Sequence, residues 1–188
     1  MTAVRLIVFA VSSAALAYAS RAPLRHPRSH GFPRFFAWEC MVLLLLVVWA
    51  GVGPWFADPL SARQTASWAL LACSLVSAMP GGLQLLRRGR PRPGRADEPA
   101  LFGFERTTAL VTTGVYRYVR HPLYGSLVFL TWGVFFKGPS LPAAGLALAA
   151  TVLLTATARR EEAENLRYFG DAYTAYRKTT RMFVPFVV

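Results

Sequence analysis

Arg120, His121 and Pro122 combine a fixed cation, a titratable imidazole and a residue that favours the start of a helix. Tyr116 and Tyr124 flank this tripeptide, and a Thr-Thr-Gly sequence shortly before it predicts a turn. Proline disfavours helical geometry at the preceding residue and suits the first position of a helix, so His121 is predicted to lie at a helix N-terminus. Free backbone N–H groups there favour an anionic group such as a carboxylate. The residues alone also fit an aromatic and basic belt at a membrane interface.

The same tripeptide occurs earlier, as Arg25-His26-Pro27, in different surroundings. This first copy lacks the following Tyr-Gly and the preceding turn with a tyrosine, so it is interpreted as part of a basic loop. Neither His26 nor His30 is predicted to bind a metal. Cys40 and Cys73 lie singly in apolar runs without ligand spacing, so no metal site is predicted.

Acidic and aromatic residues follow the last apolar run of the chain. Glu161 and Glu162 are costly if they face lipid, and neighbours on a helix point about 100° apart, so they cannot share one direction. Tyr173 and Tyr176 are three residues apart and share a helix face, and Arg181 follows them. The carboxylates either pair with arginines at the membrane interface, or at least one accepts hydrogen bonds from a polar ligand.

Five apolar stretches must position these groups, in a chain of 188 residues that is 54% hydrophobic. The pattern predicts an all-α integral membrane bundle of about five transmembrane helices. The fourth stretch, of about 14 residues, is short against the roughly 20 that a crossing needs. The predicted spans are Val4–Tyr18, Phe35–Trp55, Thr65–Leu86, Leu123–Phe136 and Leu141–Ala158.

The chain carries 21 Lys and Arg against 9 Asp and Glu, a net charge of +12. Most of the basic residues fall in Arg21–Arg34, in Arg87–Arg120 and beyond Arg159, which alternate with weakly basic links. Because positive loops stay in the cytoplasm, the N-terminus is predicted outside and the C-terminus inside an inner or plasma membrane. Nucleic-acid binding would explain the charge but not the spans.

The chain is predicted to form one membrane domain over residues 1–188. Residues 1–86 hold three spans, 87–122 a cytoplasmic loop, 123–158 a helical hairpin and 159–188 a cytoplasmic tail. Residues 91–99 are rich in Pro, Gly and charge and predict a surface loop. Met79-Pro80-Gly81-Gly82 predicts a kink or close packing in the third span.

The segment Leu110–Gly125, the acidic pair and the segment Leu166–Pro185, in this order, closely resemble the isoprenylcysteine carboxyl methyltransferase and phospholipid methyltransferase superfamily. These are integral membrane enzymes that use S-adenosylmethionine. The resemblance implies a cytoplasmic cofactor pocket formed by the C-terminal half, with Arg120, Glu161 and Arg181 as candidate catalytic residues. The cofactor-binding residues that it implies are Tyr116, His121, Pro122, Tyr124, Glu161, Glu162, Tyr173 and Tyr176.

The expected function is therefore S-adenosylmethionine-dependent methyl transfer to a lipophilic or membrane-associated small acceptor (a carboxylate, amine or thiol) at the cytoplasmic face. The expected partners are that substrate and membrane lipids, with no nucleic acid and no protein partner. Two alternatives stay open: an NADPH-dependent enzyme similar to sterol reductases, which share a similar C-terminal half, and a non-enzymatic lipid-binding membrane protein.

Overall fold

The computed structural model describes residues 2–49, 53–89 and 107–184, and over these ranges the regular structure is helical. An isolated parallel bridge joins Val119 and Arg181. The predicted all-α class is therefore confirmed for the described part of the chain. The helices are α1 (Ala3–Ala19), α2 (Arg21–Leu24), α3 (Gly31–Trp49), α4 (Ala62–Arg88), α5 (Pro122–Phe135), α6 (Leu141–Phe169) and α7 (Asp171–Thr179).

Three of these helices, α3, α4 and α6, are long and apolar enough to cross a membrane. The first and fourth predicted spans form the shorter apolar helices α1 and α5, of 17 and 14 residues. An untilted crossing takes roughly 20 residues, so α1 and α5 fall short of it by length alone. The predicted loop at residues 91–99 lies outside the described residues.

The bundle is built from two antiparallel helix pairs. His30, just before α3, meets Glu164 near the end of α6, whereas Val48 near the end of α3 packs in one cluster with Ala143 near the start of α6. In the second pair, the Ser67 hydroxyl near the start of α4 donates to the carbonyl of Gly133 near the end of α5. The end of α3 that carries His30, the C-terminal ends of α4 and α6, and the N-terminus of α5 therefore lie at one end of the bundle.

Local sequence signals explain how α4 begins and how it meets α5. Ser61 accepts a hydrogen bond from the backbone N–H of Gln64 and so caps the N-terminus of α4. Near the other end of α4, a Cβ atom added to Gly81 would lie 3.2 Å from Cγ of Pro122. The close packing predicted from the Pro-Gly-Gly sequence is confirmed at this contact, because a side chain at Gly81 would require Pro122 to move by a few tenths of an ångström.

Helix α6 does not end where the charged residues begin. The sequence predicts that Arg159–Glu162 closes the last span, but α6 continues as one helix to Phe169. Arginine, glutamate and alanine are good helix formers, so the change in polarity marks a change of environment and not a helix end. The break comes at Gly170, whose φ of 57° suits glycine, and α7 follows directly.

Candidate active site

The second Arg-His-Pro tripeptide forms the start of α5, as its proline predicts. Pro122 is the first residue of the helix and His121 is its N-cap residue. Both are buried, and the His121 ring stacks on the ring of Tyr124 with 5.6 Å between centroids. The preceding turn is also present, as a 3₁₀ turn over Gly114–Arg117. This geometry confirms the predicted helix start, and it directs the free N–H groups of α5 toward the site end of the bundle.

The C-terminal tail runs beside this tripeptide and is hydrogen-bonded to it. The backbone N–H groups of Arg120 and His121 donate to the carbonyls of Arg181 and Met182, over 2.8 and 3.1 Å, and Arg181 N–H donates to Tyr118 over 3.0 Å. The Phe183 ring also packs edge-on against His121, with 6.4 Å between centroids. The tail therefore covers one side of the site and fixes the backbone at Arg120 and His121.

Glu162 is the centre of a buried ionic network. Its Oε1 accepts a hydrogen bond from Arg120 Nε over 2.7 Å and lies 3.3 Å from His121 Nε2. Its Oε2 lies 3.4 Å from Nε of Arg177 on α7. Arg120 also donates to the carbonyl of Thr180. Because a buried carboxylate needs partners of this kind, Glu162 joins α5, α6, α7 and the tail into one unit.

Glu161 points in another direction and lines a cavity. Its Oε1 lies 3.9 Å from His121 Nδ1, and its side chain keeps 25% of its accessible surface, against 6% for Glu162. The two neighbouring carboxylates thus flank opposite nitrogens of one imidazole. The sequence prediction that they cannot share one direction is confirmed. Glu162 holds the structure together, whereas Glu161 lines the cavity.

The cavity encloses about 690 Å³ of empty space, a figure that includes the open solvent at its mouth. It lies at the end of the bundle where α4, α5, α6 and α7 meet. Its polar or titratable lining residues are Thr107, Tyr116, Arg120, His121, Tyr124, Glu161, Asn165, Tyr173 and Tyr176. The remaining lining residues are Leu85, Leu110, Val111, Pro122, Leu123 and Phe169.

Tyr173 and Tyr176 close the cavity from α7. Both are buried, at 2% and 7% exposure, which confirms that they share the inward face of this helix. The Tyr176 hydroxyl donates to the carbonyl of Tyr116 over 2.6 Å. Burial raises the pKa of both phenols, helped at Tyr173 by the nearby charges of Glu162 and Glu161, so both stay protonated donors.

The structure brings most of the predicted site residues together, but not all. Tyr116, Arg120, His121, Pro122, Tyr124, Glu161, Tyr173 and Tyr176 line the cavity, whereas Glu162 and Arg181 are not among its lining residues. Glu162 lies outside the cavity and contacts two of its lining residues, Arg120 and His121. The side chain of Arg181 is exposed, and its contribution to the site comes from its backbone.

Several wall residues were not predicted. Asn165 lies one turn beyond Glu161 on α6, so the helical repeat could have indicated it. Leu85, Val111 and Thr107 have no local signal, because they reach the cavity through the packing of α4 and of the segment before α5. His30 and Glu164 form a buried pair beside the site, and no sequence spacing relates two residues 134 positions apart.

The fold and cavity define a helical membrane protein with a buried polar site at one end of its bundle. Residues 99–172 match the phospholipid methyltransferase family. This confirms the resemblance seen in the motifs and identifies this part of the chain as similar to membrane methyltransferases. The match includes the second Arg-His-Pro and the acidic pair and ends just before Tyr173. No curated protein and no solved structure matches the chain significantly.

Proposed function

We propose that this protein transfers the methyl group of S-adenosylmethionine to a lipophilic or membrane-associated small acceptor. The observation that carries the proposal is the cavity lined by His121, Glu161 and Tyr173, within or directly beside the segment that matches the methyltransferase family. The acceptor is a carboxylate, an amine or a thiol. The spans beside the site are the route by which such a molecule reaches it from the bilayer.

The residues of the cavity fit the chemical groups of S-adenosylmethionine. Its carboxylate suits Arg120 and the N-terminus of α5, and its ammonium or ribose hydroxyls suit Glu161 and Asn165. The tyrosine rings suit its adenine and its sulfonium cation, since aromatic faces attract cations. The apolar wall from α4 and the segment before α5 excludes water from the remainder.

When bound, S-adenosylmethionine would supply an electrophilic methyl group for transfer to the lone pair of the acceptor, with the thioether as the leaving group. The chain's task is to place and shield the reactants, because the acceptor attacks the methyl group directly and no covalent nucleophile of the protein is needed. Arg120 is proposed to orient an anionic group, and Glu161 to take the proton of an amine or thiol acceptor. The corresponding orienting role of Arg181 stays a prediction from the resemblance.

The distribution of basic segments supports a site on the cytoplasmic side, with the N-terminus outside and the C-terminus inside. Arg87, Arg88, Arg117, Arg159 and Arg160 are exposed and belong to segments at the site end of the bundle. This charge favours anionic lipid headgroups around the cavity mouth. We therefore propose that membrane lipids and the lipophilic acceptor are the partners of the protein.

Calorimetric titration of the detergent-purified protein with S-adenosylmethionine tests the cofactor, with NADPH titrated separately as the competing cofactor. We expect S-adenosylmethionine to bind and NADPH not to bind. His121→Ala should weaken binding about a hundredfold, or roughly 2.8 kcal/mol, because it removes a wall of the cavity and a partner of both carboxylates.

His26→Ala is the matched control, since His26 is the exposed histidine of the first tripeptide. Its affinity should stay within about twofold of the wild type. Binding of NADPH instead would favour the reductase alternative. A well-folded protein that binds neither molecule would overturn the proposal in favour of a non-enzymatic lipid-binding protein.

A further inference from the structure

A second histidine, His30, lies buried beside the site without lining the cavity. It has no exposed surface, and its partner Glu164 is 5% exposed. The His30 backbone N–H donates to Oε1 of Glu164 over 3.0 Å, while its ring Nδ1 is hydrogen-bonded to Oε2. One carboxylate thus holds both the backbone and the ring of one residue. This fixes the start of α3 against the charged end of α6.

The position of Glu164 on α6 connects this pair to the cavity. Glu164 follows Glu161 by three residues, so the two lie near one another on the helix, and it directly precedes Asn165. Glu161 and Asn165 both line the cavity. Glu161 also interacts electrostatically with two histidines, His121 and His30. The charges of His30 and His121 therefore both act on a carboxylate that lines the cavity.

The surroundings of His30 favour its protonated form. Burial lowers the pKa of His30, but the hydrogen bond with Glu164 and the charges of Glu161 and Glu164 outweigh burial and the repulsion from Arg34, so the pKa is raised above its ordinary value. These are the charged groups that act on the ring from α6 and from α3. Arg160 donates instead to the backbone carbonyls of Pro27 and Ser29.

The other ring nitrogen, Nε2, is buried without a hydrogen-bond partner among the described residues. The ring is therefore held on its Nδ1 side, by Glu164. Loss of the ring proton would remove the charge attraction to Glu164 and Glu161, whereas the apolar contacts of α3 with α6 do not depend on that charge. A change in protonation can therefore alter the cavity wall without unfolding the bundle.

We propose that His30 is a positioning residue for cofactor binding: with Glu164, it holds the turn of α6 that presents Glu161 and Asn165 to the cavity. This inference rests on the proposed binding of S-adenosylmethionine there. It assigns a function at the site to the N-terminal part of the chain, outside the segment that matches the family. The pair makes cofactor affinity depend on pH.

Calorimetric titration of S-adenosylmethionine between about pH 6 and pH 8.5, the range around a raised histidine pKa, tests the role of His30. His30→Asn keeps an N–H donor near the place of Nδ1 and removes the titrating group. A raised pKa means that the ion pair is present at low pH and is lost as pH rises through that pKa. Wild type should therefore lose affinity across this range, whereas His30→Asn should bind about tenfold more weakly at low pH and lack this step.

His26→Asn is the matched control and should keep the wild-type profile, because His26 is exposed and its ring lies near the Ala22 carbonyl of its own segment. Glu164→Gln keeps an oxygen for the His30 N–H but removes the charge, and it should reproduce the flat profile even if His30→Asn does not fold. An unchanged pH profile in Glu164→Gln, or in a folded His30→Asn, would overturn the inference alone. A wild type that binds no S-adenosylmethionine at any pH would overturn the proposed function together with it.

Discussion

The two Arg-His-Pro tripeptides have the same residues and opposite environments. In the first copy, Arg25, His26 and Pro27 are all exposed, and the His26 ring is hydrogen-bonded to the carbonyl of Ala22, four residues before it. In the second copy His121 and Pro122 are buried, and α6, α7 and the tail all contact the tripeptide. The difference teaches that the tripeptide specifies a local turn, whereas the partners that converge on it specify a site.

The first copy is nevertheless close to the site in space. Arg160, near the acidic pair of α6, donates to the carbonyl of Pro27 over 2.6 Å, and His30 follows three residues later. The first copy contributes backbone carbonyls to these contacts, and the second contributes side chains. Substitutions that delete side chains should therefore have large effects in the second copy and small effects in the first.

The largest difference is expected between Arg120→Ala and Arg25→Ala. Removing Arg120 deprives the buried carboxylate of Glu162 of its 2.7 Å partner and frees the carbonyl of Thr180. Breaking a buried ion pair at one end costs about 3 kcal/mol or more, so the unfolding free energy in denaturant titrations should fall by about that amount. Arg25→Ala should change it by less than about 0.5 kcal/mol, because Arg25 is exposed.

Arg120→Lys sharpens this result. It restores the charge but not the planar guanidinium that reaches Glu162 and Thr180 together, so it should recover only part of the lost stability. Equal effects of Arg120→Ala and Arg25→Ala would contradict the view that the network around Glu162 distinguishes the copies.

A smaller difference is expected at the tyrosines that accompany each copy. Tyr176→Phe removes the 2.6 Å hydrogen bond to the carbonyl of Tyr116 and leaves that buried oxygen without this donor. The expected loss of stability is about 1 to 2 kcal/mol, with weaker binding of S-adenosylmethionine because α7 holds the cavity less firmly. Thermal unfolding and calorimetry on the same preparation measure both effects.

Tyr18→Phe is the control near the first copy. Tyr18 is 71% exposed, and Arg21 lies over its ring, a contact that phenylalanine keeps. Stability should change by less than about 0.5 kcal/mol. If Tyr176→Phe also left both the stability and the affinity for S-adenosylmethionine unchanged, the view that α7 closes the cavity would be wrong.

Local signals in the sequence sufficed for the parts of the site that depend on helix geometry. Pro122 predicts the start of α5, and the three-residue spacing of Tyr173 and Tyr176 predicts their shared face. The angle between Glu161 and Glu162 predicts that they separate. Each of these follows from the repeat of one helix, which a sequence displays directly.

The rest of the site depends on contacts between distant segments. The His30–Glu164 pair joins α3 to α6 across 134 positions, and neither residue has a neighbour that indicates the other. The apolar run predicts a membrane span up to Ala158 but not the length of the helix, because the charged residues after Ala158 favour a helix as strongly as the apolar residues before them. Polarity shows where a membrane ends, and helix propensity with a glycine break shows where the helix ends.

The smallest difference is expected between alanine substitutions at two adjacent glycines of α4, Gly81 and Gly82. This comparison tests whether the packing of α4 fixes Pro122, a contact that the exposed Pro27 lacks. A Cβ at Gly81 would meet the buried ring of Pro122 at 3.2 Å and Leu123 at 3.4 Å, whereas a Cβ at Gly82 has open space. Alanine in place of glycine within a helix is worth up to about 1 kcal/mol. Gly82→Ala should therefore raise the thermal midpoint, and Gly81→Ala should not, because pushing Pro122 away offsets that gain.

Gly81→Ala should also weaken binding of S-adenosylmethionine severalfold, because Pro122 and Leu123 line the cavity and move with the displaced start of α5. Gly82→Ala should leave the affinity unchanged. If both variants gained stability equally and bound equally well, the close approach of α4 would not constrain the second tripeptide. The network around Glu162 alone would then hold the second tripeptide in place. In that case Arg120→Ala should abolish binding of S-adenosylmethionine as well as lower the stability.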